Sequence, residues 1–181
     1  NIQDSDFLCV YIGRIAKEKS IDVLIDMFSK IKDEIFKFMI VGRGPVVDEL
    51  KNQAENLGIS DRVIFVGEVP HDKVPVYYQM GDVFLNASVS ETQGLTFVEA
   101  MAAKIPVNAR YDLNLEDLLV KNEAGLVYKN EEEFINNIML LKQNKELREK
   151  IIENAYNVSQ DFTAEKFGER VEAVYKKTIE E

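Results

Sequence analysis

The sequence of 181 residues is poor in the residue types that mark several specialised classes of protein. It has one cysteine, Cys9, so no disulfide can form within the chain, and its place in an apolar run indicates a buried thiol and a reducing cytoplasm. It has one histidine, His71, in a loop without a cysteine or second histidine nearby, so we predict no metal site. Its apolar runs are of strand length, far short of the roughly 20 residues that cross a bilayer, so we predict no transmembrane segment.

Basic residues are also outnumbered by acidic ones. With 22 lysines and arginines against 32 aspartates and glutamates, the net charge is −10, which argues against a nucleic acid partner. Apolar residues make up 46% of the chain and are spread evenly, which is enough for a single domain at 1–181 with a core of its own. Because the chain starts at Asn1 without a methionine or the pattern of a signal peptide, we expect a fragment of a longer protein.

Strand-like and helix-like segments alternate along the chain. Strands are predicted at Phe7–Ile12, Phe36–Val41, Val63–Val66, Val83–Ala87, Pro106–Ala109 and Gly125–Tyr128. Helices are predicted at Ile21–Lys32, Val46–Leu57, Lys73–Met80, Leu95–Ala103, Glu131–Gln143, Glu146–Val158 and Ala164–Ile179, with a short one after Asn114. Helix starts are predicted at Ser20, Asp72, Asn114 and Asn130, and Gly58 follows a helix end. This order is typical of an α/β fold, a Rossmann-like doubly wound parallel sheet of about six strands with helices on both faces.

Two glutamates, Glu91 and Glu99, stand eight positions apart where a strand and its loop turn into a helix. In such folds ligands lie at the carboxyl ends of the strands, and anionic groups are drawn to helix amino ends. Carboxylates repel phosphate but accept hydrogen bonds from hydroxyls, so the pair indicates a sugar joined to a phosphate, a sugar nucleotide. The alternative is structural: Thr96 to Glu99 and Ser88 to Glu91 each fit a capping box, in which the glutamate only satisfies a backbone N–H.

Basic residues and glycines follow the first two predicted strands. After the first come Gly13, Arg14 and Lys19, which offer a sharp turn, a planar fork for phosphate oxygens and a second positive charge. A solvated basic turn is the alternative. The second strand is followed by 42–45, Gly-Arg-Gly-Pro, which is too short for a dinucleotide-binding GxGxxG motif.

Taken in order, these motifs resemble the carboxyl-terminal, nucleotide-sugar-binding half of group 1 glycosyltransferases of the GT-B fold. The resemblance covers about the whole chain and rests on Gly13-Arg14-x4-Lys19, Val41-Gly42-x-Gly44-Pro45, Val63-Ile64-Phe65-Val66-Gly67, Glu91-x7-Glu99-Ala100-Met101-Ala102 and Pro106-Val107. The segments 91–96 and 114–117 look like those of bacterial diacylglycerol glucosyltransferases.

The resemblance implies a role for each motif. Arg14 and Lys19, beside Gly13, would bind the diphosphate and stabilise charge on the leaving group. Glu99 would accept hydrogen bonds from ribose hydroxyls, and Glu91 would hold the donor sugar, for which UDP-glucose is the expected donor. The remaining donor-binding residues are the backbone N–H groups near Gly94, Leu95 and Thr96, beside the sugar and phosphate, and the segment Gly67 to Val69, by the base. Such enzymes retain anomeric configuration and need no metal or other cofactor.

The resemblance also implies what accompanies this chain. The amino-terminal half that would bind the acceptor is absent, so we expect this chain to bind donor and to be inactive alone. The helix at 163–181 would cross to that half. A diacylglycerol acceptor would be reached through the missing half, which would place the full-length enzyme in the cytoplasm, peripheral at the inner face of the membrane. Ser20 stands where the family usually has glycine, and as a helix cap it is expected to have little effect.

Two other functions remain open from the sequence, and a third is disfavoured. The chain could be a regulatory nucleotide-binding module without transfer chemistry. A transferase could use a polysaccharide or protein acceptor. A Rossmann dehydrogenase is disfavoured because no GxGxxG follows the first strand and no acidic residue ends the second strand at Val41.

Overall fold

The protein forms a six-stranded, all-parallel sheet. The computed structural model describes residues 2–88 and 94–180, apart from the side chains of residues 177, 179 and 180. The strands are β1 (Phe7–Ile12), β2 (Phe36–Val41), β3 (Val63–Gly67), β4 (Val83–Asn86), β5 (Val107–Arg110) and β6 (Leu126–Tyr128), in the order β3-β2-β1-β4-β5-β6. The order reverses direction between β1 and β4, the arrangement that leaves a crevice for ligands beside the carboxyl ends of the strands.

Helices connect the strands. They are α1 (Ile21–Phe28), α2 (Val47–Asn56), α3 (Val74–Met80), α4 (Leu95–Ala102), α5 (Glu131–Gln143), α6 (Lys145–Ser159) and α7 (Ala164–Glu180). Single tight turns of 3₁₀ helix lie at Lys17–Lys19, His71–Lys73 and Gln160–Phe162, and a π-helical turn lies at Glu116–Val120. No helix among the described residues is long and apolar enough to cross a membrane. The predicted doubly wound α/β fold is confirmed.

The core lies on both faces of the sheet. Alternate residues of β1 enter different apolar clusters: Phe7, Cys9 and Tyr11 pack with α1, α2 and α5, whereas Leu8 and Val10 pack with α3 and α4. Because both faces are covered, every residue of β1 is buried, and the strand is a continuous apolar run without alternation.

Two of the predicted helix ends are confirmed. The Asn130 side chain accepts a hydrogen bond from the Glu133 backbone N–H at 2.9 Å and so caps α5, and Oε2 of Glu133 accepts one from the N–H of the preceding residue, Lys129, at 2.7 Å. Gly58 follows α2 with a φ of 67°, and the bonds Gly58 N–H to Glu55 O and Ile59 N–H to Ala54 O close the helix end.

At the other three predicted helix starts the expected side-chain cap is absent, although α1 begins directly after Ser20 as predicted. Ser20 precedes α1, but its backbone is left-handed, with φ 50° and ψ 40°, and its side chain makes no capping hydrogen bond. Asp72 lies inside the 3₁₀ turn that leads into α3, and α3 begins after Lys73 without a side-chain cap. Asn114 lies in a turn stabilised by Asp112, and the π-helical turn begins later, after Leu115. In each case the entering loop has a geometry that does not aim the side chain at the free N–H groups.

Candidate functional site

The loops after β1, β2 and β3 lie side by side at the carboxyl edge of the sheet. Beyond the strands the backbone ladder continues, with hydrogen bonds from the Gly13 N–H to the Val41 carbonyl at 3.0 Å and from the Gly42 N–H to the Gly67 carbonyl at 2.8 Å. A third bond joins the Ile15 N–H to the carbonyl of Arg43 at 2.9 Å. The fold thus brings together the loops that the sequence assigns to the phosphates and the base.

Two glycines allow this close packing of the loops. A Cβ atom on Gly42 would lie 1.9 Å from the Gly13 carbonyl oxygen, and one on Gly44 would lie 1.8 Å from the Ile15 carbonyl oxygen. Neither position accepts a side chain without moving the β1 loop. The Gly-Arg-Gly sequence therefore reflects contact between two loops, which explains why it lacks the length of a dinucleotide-binding motif.

A pocket of about 330 Å³ opens on these loops, and we call it the basic pocket. Three predicted site residues, Gly13, Arg14 and Val69, line it. Arg43 and Glu68 line it as well and form an ion pair across the pocket at 3.2 Å. Glu68 lies inside the segment predicted to lie by the base, whereas Arg43 had no predicted role. Their signal in the sequence is weak because each is an exposed charged residue in a loop, although Glu68 directly follows β3 and Arg43 comes two residues after the end of β2.

Arg14 lies on the exposed rim of this pocket. Its guanidinium pairs with the Glu18 carboxylate, and its backbone carbonyl accepts a hydrogen bond from the buried Tyr11 hydroxyl at 2.9 Å. Exposed pairs of this kind are weak, so a diphosphate can displace Glu18 at little cost. Lys19 lies in the 3₁₀ turn just before α1 and is half-buried. The turn therefore keeps both predicted cations on one short loop.

Glu99 lies on α4, and its partner is a buried tyrosine. The Tyr78 hydroxyl lies 3.1 Å from Oε2 of Glu99 and 3.3 Å from the Thr96 carbonyl oxygen, within donating distance of both acceptors. Burial, and then the Glu99 charge and hydrogen bond, raise the pKa of Tyr78 well above its usual range. The capping alternative for Thr96 and Glu99 is wrong: α4 starts after Gly94, neither of these two side chains caps it, and Glu99 accepts from a hydroxyl.

A second pocket of about 300 Å³ lies between α3 and α4, and we call it the α3–α4 groove. Glu99 and Tyr78 form part of its wall, together with Val74 and the loop residue His71. Val74 also lines the basic pocket, so the two depressions adjoin at this residue. A ligand that extends across Val74 would meet Glu99 at one end and Arg14 at the other.

The amino end of α4 supplies backbone donors. Gly94 precedes the helix with a left-handed φ of 60°, Leu95 is 59% exposed, and Thr96 is in the first turn, where N–H groups have no intrahelical partner. Glu91 lies outside the described residues, so its role stays a prediction. The buried hydroxyl oxygens of Ser88 and Thr96, on either side of segment 89–93, make no hydrogen bond to a described residue, which leaves them for that segment or a ligand.

A further cluster lies beyond β5 and β6 at the same edge of the sheet. The Tyr111 hydroxyl donates to the Glu116 carboxylate at 3.3 Å, and the Lys129 ammonium lies 4.5 Å from the centre of the Tyr111 ring. The nearby Glu116 charge raises the pKa of Tyr111. This hydrogen bond joins Tyr111 to Glu116, which belongs to the segment 114–117 that resembles bacterial diacylglycerol glucosyltransferases. Across residues 2–88 and 94–180, no three histidine, cysteine, aspartate or glutamate side chains are grouped as metal ligands.

Comparison with known proteins agrees with the motifs. Residues 1–158 match the family described as glycosyl transferases group 1. The alpha-monoglucosyldiacylglycerol synthase of Acholeplasma laidlawii is 33% identical over 181 residues, which is 99% of this chain and 46% of that protein. The enzyme of the same name from Streptococcus pneumoniae is 34% identical over 182 residues, covering 98% of this chain and 40% of that protein. The chain therefore spans less than half the length of these relatives.

Solved structures agree on the fold. Anabaena Alr3699/HepE, crystallised in complex with UDP-glucose, matches with a TM-score of 0.86 over 95% of this chain and 49% of that chain, at 23% sequence identity. At this identity the likeness establishes the fold, and it confirms the predicted half of a GT-B glycosyltransferase. Together with the family match over most of its length, this shows that the chain belongs to the group 1 glycosyl transferases.

Proposed function

We propose that this chain is the donor-binding domain of a retaining, metal-independent glycosyltransferase that transfers glucose from UDP-glucose to diacylglycerol. The observation that carries the proposal is the meeting of the basic pocket and the α3–α4 groove at Val74. It puts cations and a hydroxyl-accepting carboxylate in two pockets that share one wall residue. A nucleoside diphosphate has the matching pair of groups.

The cations serve the departing diphosphate. Arg14 and Lys19 stand on the loop before α1, where their charges offset the negative charge that develops as the bond from sugar to phosphate breaks. Fixed cations of this kind supply the charge stabilisation that a bound divalent metal supplies elsewhere. Arg14 exchanges its pairing with Glu18 for the phosphate oxygens, a change that costs little at an exposed site.

The remaining groups hold the nucleoside and the sugar. Glu99 accepts the ribose hydroxyls, and the loop Gly67 to Val69 lies by the base. The free N–H groups at the start of α4 approach the sugar and phosphate, and Glu91 binds sugar hydroxyls. The half-open crevice at the carboxyl edge, beside the reversal between β1 and β4, is where ligands of such sheets bind.

The acceptor is proposed from the relatives. Two proteins that align with nearly all of this chain are named alpha-monoglucosyldiacylglycerol synthases. An alpha-linked product from the alpha-linked glucose of UDP-glucose means that configuration is retained. We place the acceptor site in the amino-terminal half that the relatives have and this chain does not, with α7 crossing to it; Phe167 and Tyr175 of α7 are 68% and 66% exposed, a surface that such a contact would cover.

The donor site is tested by titration calorimetry of the chain with UDP and UDP-glucose, with and without EDTA. Glu99→Gln should weaken both ligands about tenfold or more, because a hydrogen bond to a charged group is worth about 1.5–3 kcal/mol. Arg14→Ala should weaken both by a similar factor, whereas Lys30→Ala, which removes the same charge beyond the far end of α1, should not. Loss of binding on chelation would refute metal independence, and a preference for NAD would refute the donor site.

The reaction is tested by restoring the amino-terminal half and assaying transfer to diacylglycerol. We expect an alpha-linked glucolipid, loss of activity on Arg14→Ala or Lys19→Ala, and no transfer by residues 1–181 alone, because two domains are needed to hold donor and acceptor at reacting distance. Transfer to a soluble sugar but not to lipid would overturn the acceptor. Transfer by the isolated chain would overturn the two-domain mechanism.

A further inference from the structure

The hydroxyl of Tyr78 joins α3 to α4 at the wall of the α3–α4 groove. The side chain is 1% exposed, and its ring packs edge-on against Phe84 with 5.5 Å between centroids. Since the ring is fixed by packing, the hydroxyl has one location. From there it reaches Oε2 of Glu99 and the carbonyl of Thr96, at 3.1 and 3.3 Å.

Glu99 depends on this contact for a defined position. The side chain is exposed, and a glutamate with three rotatable bonds loses up to about 2 kcal/mol of conformational entropy when it is held in one rotamer. The hydrogen bond from Tyr78 holds Oε2 in place at the wall of the groove, so this entropy is already lost in the free protein before a ligand binds. Oε1 accepts no hydrogen bond from the described residues, so it and the second lone pair of Oε2 remain for a ligand.

We propose that Tyr78 is a positioning residue for the donor site, which holds the Glu99 carboxylate so that its unused lone pairs receive the ribose hydroxyls of a nucleoside diphosphate. This inference rests on the donor-binding role proposed for Glu99. Burial keeps the Tyr78 hydroxyl protonated because it raises the pKa of that group. The tyrosine is therefore a hydrogen-bond donor to the carboxylate.

A structural role for the hydroxyl makes a different prediction. If Tyr78 only satisfies the Thr96 carbonyl, its removal disturbs α4 and weakens every ligand of the site alike. If it positions Glu99, its removal weakens only those ligands that offer hydroxyls to Glu99. A site arranged to bond a ligand hydroxyl discriminates against the analogue that lacks it.

The test compares UDP with 2′,3′-dideoxy-UDP by titration calorimetry of the chain. Tyr78→Phe keeps the packed ring and removes the hydroxyl. It should weaken UDP roughly 3- to 10-fold, the range for one lost hydrogen bond, and change the dideoxy analogue less than about 2-fold. Tyr77→Phe is the matched control: it makes the same chemical change on the same helix, and its hydroxyl bonds to no described residue, so both affinities should stay unchanged.

A double variant and the ratio of affinities decide the outcome. Tyr78→Phe combined with Glu99→Ala should bind UDP no more weakly than Glu99→Ala alone, because alanine removes the group through which the tyrosine acts. The ratio of two affinities measured on one sample does not depend on the folded fraction, so a loss of stability cannot mimic the result. Equal weakening of UDP and the dideoxy analogue by Tyr78→Phe, with Glu99→Gln still selective against UDP, would overturn the positioning role alone. If the unmodified chain binds both ligands equally, the role of Glu99 fails and this inference with it.

Discussion

Replacing Ser20 by glycine should make this protein more stable, although serine is among the best helix-capping residues. Ser20 lies between the 3₁₀ turn and α1 with φ 50° and ψ 40°, and its side chain caps neither element. A side chain in the left-handed region brings Cβ too close to the following carbonyl oxygen, which costs roughly 1–2 kcal/mol for residues other than glycine. Glycine removes that cost and forfeits no hydrogen bond of the serine side chain to the helix.

The expected gain is smaller than the strain itself. Glycine also gives the unfolded chain more freedom, which costs about 0.4–1 kcal/mol of stability. The difference leaves a net stabilisation of about 0.5–1 kcal/mol for Ser20→Gly. For a chain of this size 1 kcal/mol shifts the melting temperature by about 2–4 °C, so the variant should melt about 1–4 °C higher.

Ser20→Ala separates this explanation from capping. Alanine keeps the left-handed strain and removes the hydroxyl, so without a capping bond its stability should stay within about 0.5 kcal/mol of the parent chain. If the hydroxyl caps α1, the same change should cost about 1 kcal/mol, and Ser20→Gly should cost a few tenths instead of stabilising. Thermal unfolding of the three proteins, followed by circular dichroism, gives the answer: a clear fall for alanine together with no rise for glycine would refute the strain argument.

Two further predictions concern buried groups. Burial raises the pKa of Cys9, Tyr78 and Tyr128 above ordinary values of 9.0 for the thiol and 10.0 for the phenols. The native state keeps protons that the unfolded chain releases at high pH. The stabilisation from these groups should therefore be fully present below about pH 9, and above it the free energy of unfolding should fall by up to about 1.4 kcal/mol per pH unit for each group. Urea denaturation between pH 8 and 11 measures this slope, which Tyr128→Phe should lower; a flat profile would contradict it. Arg62→Met should cost about 1–3 kcal/mol in the same assay, because the buried guanidinium donates to the Ile31 carbonyl at 2.8 Å, and an unchanged midpoint would contradict that.

The sequence predicts the strands well and the helix ends less well. β1 and β2 have the predicted bounds because strands buried on both faces are nearly continuous apolar runs, interrupted here only by Lys37 in β2, and stop where polar loops begin. α1 was predicted to run to Lys32 but ends at Phe28. The apolar spacing continues to Ile31, which is buried, yet this residue reaches the core through a tight turn whose N–H groups bond three residues back. Periodicity records which residues are buried and cannot tell a last helical turn from such a turn.

The residues of the candidate site show a sequence signal where they lie on one loop, whereas contacts between distant segments show none. Gly13 and Arg14 are adjacent in the chain, and their turn carries its own signal. Tyr78 and Glu99 are separated by 21 positions and lie on different helices, so their hydrogen bond follows from the packing of α3 against α4. In the sequence, Tyr78 shows only the apolar spacing of a core residue, and its ring is indeed part of the core.

The shape of the site bears on how tightly a donor can bind to this chain. Binding pockets for small molecules generally enclose about 300–1,000 Å³ and bury most of the ligand. The basic pocket and the α3–α4 groove, at about 330 and 300 Å³, lie at the lower end of that range and open to solvent. A donor held there would keep one side exposed, and water in the crevice would screen the proposed pairing of Arg14 and Lys19 with its phosphates. We therefore expect the isolated chain to bind UDP more weakly than the complete two-domain enzyme, since a second wall would exclude water and strengthen the contacts that this domain already offers.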